Sequence, residues 1–349
     1  MVLLPLLQLI LEVNMSAAAA WQRSVRRLFA ESPIAGPLAT LIIVFILLSL
    51  FVPNFFTMRS VSGILNAATL TGVVTIGVTL LMISGEFDLS VGALVAAGGY
   101  LFAFSTKDGG SPLVGVLLAL FIPAILGALN GLILIWTGIP SFIITLGSQS
   151  IYRGAVWLFS GGAMVQTLEK LAVYDVFNGR LDVVNNLFQD ANFRTAALWL
   201  IGLALVCQYL LTRTRYGNHV FAIGGNPGAA KAQGVNVKLV KVVNFAISGA
   251  LAGFSGVLLF SQFQTVLVAS GAGVELSAIA AAVVGGASLS GGYGSIWGAL
   301  IGVLLISALR TGVVLLNVSF IPADNFEAVV GVTIVAAVIL NNWLRGMRR

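Results

Sequence analysis

Charge is what this chain has least of: only 9% of its 349 residues are Asp, Glu, Lys or Arg, against roughly a quarter in a soluble domain. A water-facing surface needs about 25 to 35% charged residues, so the shortage excludes a soluble globular reading and turns most of the surface toward lipid. A single cysteine, Cys207, and a single histidine, His219, exclude a disulfide framework and a Cys/His metal cluster. No G-x-x-x-x-G-K-[ST] stretch occurs, which excludes the usual P-loop for nucleotide. A nucleophile elbow and a His-based hydrolytic constellation are also missing. An enzyme reading therefore fails on supply of residues, and no catalytic residue, metal or bound cofactor is expected on this chain.

What is present is a series of long uncharged runs in a sequence that is 58% hydrophobic and carries 40 glycines. A membrane helix needs about 20 apolar residues, with a range near 17 to 25. Glu31 to Arg59 encloses 27 uncharged positions, Arg59 to Glu86 encloses 26, and Asp88 to Lys107 encloses 18. Asp108 to Arg153 encloses 44, room for two crossings broken at Gly138-Ile139-Pro140. Similar runs follow to the C-terminus. They predict spans at 38–53, 64–83, 89–105, 113–136, 140–159, 196–211, 240–261, 275–288, 295–316 and 328–344. The expected fold is all-α: a polytopic membrane protein of about ten transmembrane segments, some broken or re-entrant, in one domain over 33–345. Segments 1–32 and 346–349 flank it. The first eleven residues are apolar but lack a basic n-region, so they do not read as a signal peptide, and Met15 is an alternative start.

The net charge of +6 raises nucleic acid as a partner, but the placement of the basic residues argues against it. Arg23, Arg26 and Arg27 precede the first span; Arg213, Arg215, Lys231, Lys238 and Lys241 surround one loop; Arg345, Arg348 and Arg349 end the chain. An even number of spans puts all of these on one side, as the positive-inside rule requires. Both termini and the loop 212–238 are therefore expected in the cytoplasm of a bacterial-type inner membrane, and the loop 160–195 in the periplasm.

Two stretches break the apolar pattern: Ser84-Gly85-Glu86-Phe87-Asp88-Leu89-Ser90-Val91-Gly92 and Gly285-Gly286-Ala287-Ser288-Leu289-Ser290-Gly291-Gly292-Tyr293-Gly294. Unpaired backbone cannot face lipid, so such breaks are either buried in protein or line a watery cavity. Paired breaks in a transporter point to the solute path; tight turns between short helices are the other reading. Ionisable residues in or beside apolar segments are Glu86, Asp88, Arg153, Glu275 and Arg310. Each costs on the order of 3 kcal/mol at the membrane centre unless paired or solvated. Asp88 and Glu275 also stand where they would cap the helices that follow. Asp324 and Glu327 have the spacing of a capping box. Path candidates are Glu86, Asp88, Ser90, Thr145, Gln149, Glu275 and Ser277.

One further stretch carries a signal of its own: Asn226-Pro227-Gly228-Ala229-Ala230-Lys231-Ala232-Gln233-Gly234. Asparagine is a good N-cap, proline suits the first helical position and glycine the left-handed residue past the end, which predicts a two-turn helix over 227–233. So short a helix is marginal in water and must pack on something. It is either a peg that docks into a partner or a loop helix packed on its own protein.

From residue 38 onward the chain resembles the permease subunits of ribose-type and related monosaccharide ABC importers, a family similar to the branched-chain amino-acid permeases. The resemblance rests on Thr75-Ile76-Gly77-Val78-Thr79-Leu80 leading into Phe87-Asp88-Leu89-Ser90-Val91-Gly92, and on Ile139-Pro140-Ser141-Phe142-Ile143-Ile144-Thr145-Leu146-Gly147 with Tyr152-Arg153-Gly154. Tyr216-Gly217, Ala222-Ile223-Gly224-Gly225-Asn226-Pro227 through Gly234-Val235, Glu275-Leu276-Ser277-Ala278-Ile279-Ala280 and the glycine-rich break ending at Gly294 complete it. It implies a pair of permeases, either two copies of this chain or a homologue. Each docks through the helix at 226–234 onto a cytoplasmic ATPase subunit that holds ATP and magnesium. A periplasmic binding protein delivers the solute, expected to be a monosaccharide or polyol. Glu86, Ser277 and Gly228 depart from the residues usual in that family. The alternative is a secondary transporter driven by an ion gradient, with Glu86, Asp88 or Glu275 as its coupling carboxylate; a passive channel is a third class.

Overall fold

The computed structural model describes residues 34–316, apart from 170 and 189, together with 331, 332 and 335. The N-terminal segment 1–32, the Asp324–Glu327 capping box and the tail 346–349 lie outside the described residues, as does most of the predicted span at 328–344. In chain order the helices are α1 Ala35–Phe51, α2 Met58–Ile83, α3 Val91–Thr106, α4 Pro112–Thr137 and α5 Ser141–Ser160. After them come α6 Ala172–Asn178, α7 Asp182–Asn185, α8 Ala196–Arg213, α9 Arg215–Gly225 and α10 Pro227–Ala232. The last described are α11 Val237–Phe263, α12 Val274–Val284 and α13 Ile296–Leu316. Two short strands, β1 Val165–Gln166 and β2 Thr265–Val266, pair antiparallel with Val165 opposite Val266.

By length and composition, five of these helices can cross a membrane: α2, α4, α8, α11 and α13. Helices α1, α3 and α12 are apolar but shorter. Their boundaries follow local chemistry. The Thr57 hydroxyl accepts from Ser60 N at 3.3 Å to start α2, and the Asn236 side chain accepts from Leu239 N at 3.1 Å to start α11. Gly138, at φ +70°, ends α4 in the left-handed conformation that glycine adopts without strain.

The layering differs from that of a water-soluble bundle in being apolar outside as well as inside. Every residue of α2 from Gly72 onward and of α3 from Val91 to Tyr100 is buried, while the outer helices present Leu50, Phe51, Phe121, Trp136, Ile151, Phe159, Leu205 and Val206 outward. An apolar exterior of this extent suits a lipid surround. Close packing replaces the hydrophobic effect as the glue in that medium, and small residues permit it. Gly127 and Gly131 of α4 abut Phe245, Val242 and Gly249 of α11, and Gly249 and Gly253 abut Pro123 and Ala119. A methyl group on Gly127, Gly249 or Gly253 would strike the facing backbone. Hydroxyls inside the bundle bond their own helix: Thr75 donates to Thr71 O at 2.7 Å and Thr79 to Thr75 O at 2.6 Å.

The 160–195 segment, expected as a long loop, is a folded cap. Phe102, Tyr174, Phe177, Trp199, Phe254 and Phe260 interlock there through edge-to-face and stacked rings 5.5–6.1 Å apart. Tyr174 shares a 3.0 Å hydrogen bond with Thr106, and Asn178 donates to Leu258 O and to Gln262 Oε1. Burial among these groups raises the Tyr174 hydroxyl pKa, so it stays neutral.

Three irregular segments interrupt the apolar helices. Two are the expected breaks, at 84–90 and 285–295. The third, at 264–273, falls in the gap expected between the spans at 240–261 and 275–288, and α12, expected to run to 288, ends at Val284 and is 11 residues long. Gly271 and Gly273 take φ of +74° and +79° there, turning the chain back toward Gly92 and Val95 of α3.

Candidate functional site

The predicted docking helix is present as α10. Asn226 caps it, its Oδ1 accepting from Ala229 N at 3.0 Å, Pro227 occupies the first helical position, and Gly234 takes φ +84° past the end. The helix runs over 227–232, one residue shorter than expected, because Gln233 takes the cap. Gly228, Ala229, Lys231, Ala232 and Gln233 are exposed, whereas Ala230 is buried against its own protein. The self-packed reading thus holds for the Ala230 face, and the opposite face of the helix is exposed.

Helix α10 hangs between two attachments. On its N-terminal side α9, a helix where charge spacing predicts only loop, is amphipathic, burying Gly217, Val220 and Ile223. The Tyr216 hydroxyl donates to Asn244 Oδ1 of α11 at 2.6 Å. Burial pushes its pKa well above the ordinary tyrosine range, so it remains a neutral donor. At the end of α9, Gly224 lies so close to the Ile83 carbonyl and the Gly292 amide that no Cβ fits. Those two groups are themselves joined, Gly292 N donating to Ile83 O at 2.8 Å. The two expected breaks therefore meet, and the element leading into α10 sits on their junction. On the C-terminal side, Lys241 of α11 is ion-paired with Glu86 of the first break.

Polar candidates collect along the seam between α5 and α3. Asp88, fully buried, accepts from Ser90 N at 2.8 Å and from the Ser90 hydroxyl at 2.5 Å, closing the turn before α3 as a cap would. The Ser90 hydroxyl accepts from Asn130 Nδ2 at 3.0 Å, and the Tyr152 hydroxyl donates toward Asn130 Oδ1 at 2.8 Å. Asn130 and Tyr152 are not among the path candidates that the sequence yields; the available signal is an amide in the middle of a 26-residue apolar helix, which requires a partner.

Helix α5 explains this placement. Ser141, Thr145, Ser148, Gln149 and Tyr152 recur every three to four residues and form one polar stripe, while Phe142, Ile143, Leu146, Ile151 and Leu158 face out. At the start of the stripe Ser141 Oγ accepts from Phe87 N at 3.1 Å, and Thr145 donates to Ser141 O at 2.8 Å. One turn on, Gln149 Nε2 donates to Glu275 Oε1 at 2.8 Å. Glu275 lies inside the first turn of α12 and accepts from Gly273 N at 3.3 Å. Arg153, a further turn along, donates to Val268 O in the third irregular segment. Asp88 Oδ2, Glu275 Oε2 and Arg153 Nη2 are buried with no hydrogen-bond partner among the described residues.

Of the seven path candidates the structure brings Asp88, Ser90, Thr145, Gln149 and Glu275 onto this seam. Glu86 stands apart on Lys241, and Ser277 lies elsewhere, in a pocket of about 60 Å³ with Thr71, Ser307 and Arg310. Among the described residues no three His, Cys, Asp or Glu side chains converge as a metal site would need.

The family described as branched-chain amino acid transport system, permease component, matches residues 60–338. The ribose import permease protein of Escherichia coli (strain K12) is 33% identical over 310 residues, 87% of this chain and 92% of that protein. The ribose import permease protein of Bacillus subtilis (strain 168) is 33% identical over 307 residues, 88% of this chain and 92% of the relative. The L-arabinose ABC transporter permease protein of Azospirillum brasilense is 31% identical over 317 residues, 90% of this chain and 89% of the relative. No solved structure matches the chain.

Proposed function

Because this chain belongs to the family of branched-chain amino acid transport system permease components, we propose that it is the membrane-spanning subunit of an ATP-driven importer of a small neutral polar solute, most naturally a monosaccharide or polyol. It sits in the inner membrane with both termini, α9 and α10 in the cytoplasm, and the cap over 160–195 faces the periplasm. The exposed side of α10, from Asn226 to Gly234, enters a groove on a cytoplasmic ATPase subunit that carries ATP and magnesium. A periplasmic binding protein delivers solute to the capped face, and a second copy of the chain completes the pore.

The observation that carries this reading is α10 itself, a capped helix of six residues, exposed on one side and joined at both ends to elements that rest on the helix breaks. An isolated helix of that length has no stability of its own, so its sequence-encoded cap makes sense if a partner grips it. The solute path follows the α5–α3 seam. Asp88, Ser90, Thr145, Gln149 and Glu275 offer hydroxyl, amide and carboxylate groups that suit a polyhydroxylated ligand, and few full charges keep its binding weak enough for release.

Purified chain reconstituted in vesicles with its ATPase and binding protein tests this. Uptake of labelled ribose or arabinose that needs ATP and survives collapse of the ion gradients is expected. Accumulation by the chain alone, at the expense of a proton or sodium gradient, would refute it in favour of a secondary transporter.

A further inference from the structure

Of the ion pairs that join described residues, one stands out as shielded. The Arg59–Asp190 and Arg180–Asp182 pairs are more than half exposed and 3.5 Å apart, where such pairs contribute little. In the Lys241–Glu86 pair the side chains are 20% and 9% exposed. A shielded pair must overcome the desolvation of both charges and is weak evidence for stability, its best-attested use being to fix register between elements.

The elements it registers are the ones that bracket the docking helix. Lys241 is on the second turn of α11, downstream of α10; Glu86 lies in the first break, three residues past the end of α2. Upstream of α10, Gly224 packs on Ile83 and Gly292 with no room for a side chain. Both attachments thus land on Ile83–Glu86. The connections between them and α10 each carry a glycine: Gly225, where a Cβ would meet nothing within 4 Å, and Gly234, in the left-handed region. A push on α10 would be absorbed in such glycine-bearing connections unless something braces them.

We propose that Glu86 and Lys241 are positioning residues that tie the docking helix to the first helix break, so that α10 and the paired breaks move as one body when the partner moves. This rests on the reading of the chain as an ATP-driven permease. It gives Glu86 a mechanical role, distinct from contact with solute, and assigns Gly224 as the second anchor.

The test uses the full chain in complex with its ATPase in lipid nanodiscs. Cys207 is replaced by Ala, and nitroxide labels are placed at Gln233→Cys and Leu289→Cys, on the exposed ends of α10 and the second break. Distances are measured without nucleotide and after trapping with ATP and vanadate. The parent should keep one label distance in both states. The double variant Glu86→Gln/Lys241→Met removes the tie without leaving a buried charge unpaired, and should show a second distance on trapping. ATP hydrolysis persists while ribose uptake per ATP falls about tenfold, within the range usual for coupling between sites. The swap Glu86→Lys/Lys241→Glu should restore a single distance. If the double variant keeps the parent's single distance and uptake ratio, the tie is overturned even if the protein melts at lower temperature. If the parent captures no ATPase, the underlying reading is overturned and the tie falls with it.

Discussion

The glycines of the α4–α11 seam permit a test in which one chemical change has opposite signs at two places. Gly253 of α11 faces the carbonyl of Ala119, and a Cβ built there also lies 2.7 Å from Pro123 Cγ. Gly202 of α8 is equally helical, with nothing within 4 Å of such a Cβ. Glycine to alanine in a helix interior contributes about 1 kcal/mol through backbone entropy. At Gly202 that gain stands alone, so Gly202→Ala should stabilise by roughly 0.5 to 1 kcal/mol. At Gly253 the colliding groups are a backbone carbonyl and a proline ring, neither of which can rotate away. The helices must separate, and overpacking of this kind costs about 1 to 3 kcal/mol, the rigid neighbours placing it at the upper end. After the propensity gain, Gly253→Ala should destabilise by about 2 kcal/mol, leaving the two variants about 3 kcal/mol apart. Thermal unfolding of the detergent-solubilised protein, followed by size-exclusion chromatography after heating, reads the order directly. Gly253→Ala melting at or above the parent would refute the close approach of α4 and α11.

Ala229→Arg adds a long cation to the exposed side of α10 and should abolish co-purification with the ATPase while leaving membrane level and melting temperature unchanged; retention of the complex on affinity capture would remove the docking assignment. Asn226→Ala deletes the cap and should cost α10 about 1 kcal/mol, weakening ATPase capture several-fold, with Asn226→Asp recovering most of it in the same assay. Glu275→Leu strands the Gln149 amide and the Gly273 N–H in the interior, a loss of about 1 to 3 kcal/mol visible as a lower melting temperature. Gln149→Leu with Glu275→Gln should fold better than Glu275→Leu yet still reduce sugar uptake, separating a role in the path from a role in packing.

The helices are legible in the sequence because their signal is an interval. A run of uncharged residues bounded by Arg59 and Glu86, or by Arg194 and Arg213, can only be accommodated one way in lipid, so α2 and α8 lie close to where the spacing predicts. Local caps are equally legible: Asn226-Pro227 and Gly234 define α10 through bonds that span three or four residues. What stays hidden depends on partners far along the chain. The end of α11 is legible, 261 predicted against Phe263, but nothing in the uncharged positions from 242 to 274 shows that the segment after it folds back through Gly271 onto Gly92 and Val95. Helix α9 is hidden because its apolar stripe is only three residues, Val220, Ile223 and the glycine at 217, beside a polar loop.

Glu86 shows most clearly where reading residues one at a time stops. Alone in an apolar run, a carboxylate costs on the order of 3 kcal/mol and is a path candidate by default. Asp88, two residues on, gives the same signal. In the folded chain they separate. Glu86 meets a lysine 155 positions away, which offsets its charge and ties two elements. Asp88 has no ion-pair partner among the described residues and is held by a hydroxyl and an amide N–H, with one oxygen left over. A group that already has its counter-ion has little to offer a passing sugar, and breaking such a pair for every molecule transported would cost several kcal/mol. A carboxylate held only by hydroxyl and amide groups offers an acceptor to a solute hydroxyl once the seam opens. The seam from Asp88 to Glu275 is therefore the stronger candidate for the path, and Glu86 for the linkage proposed above.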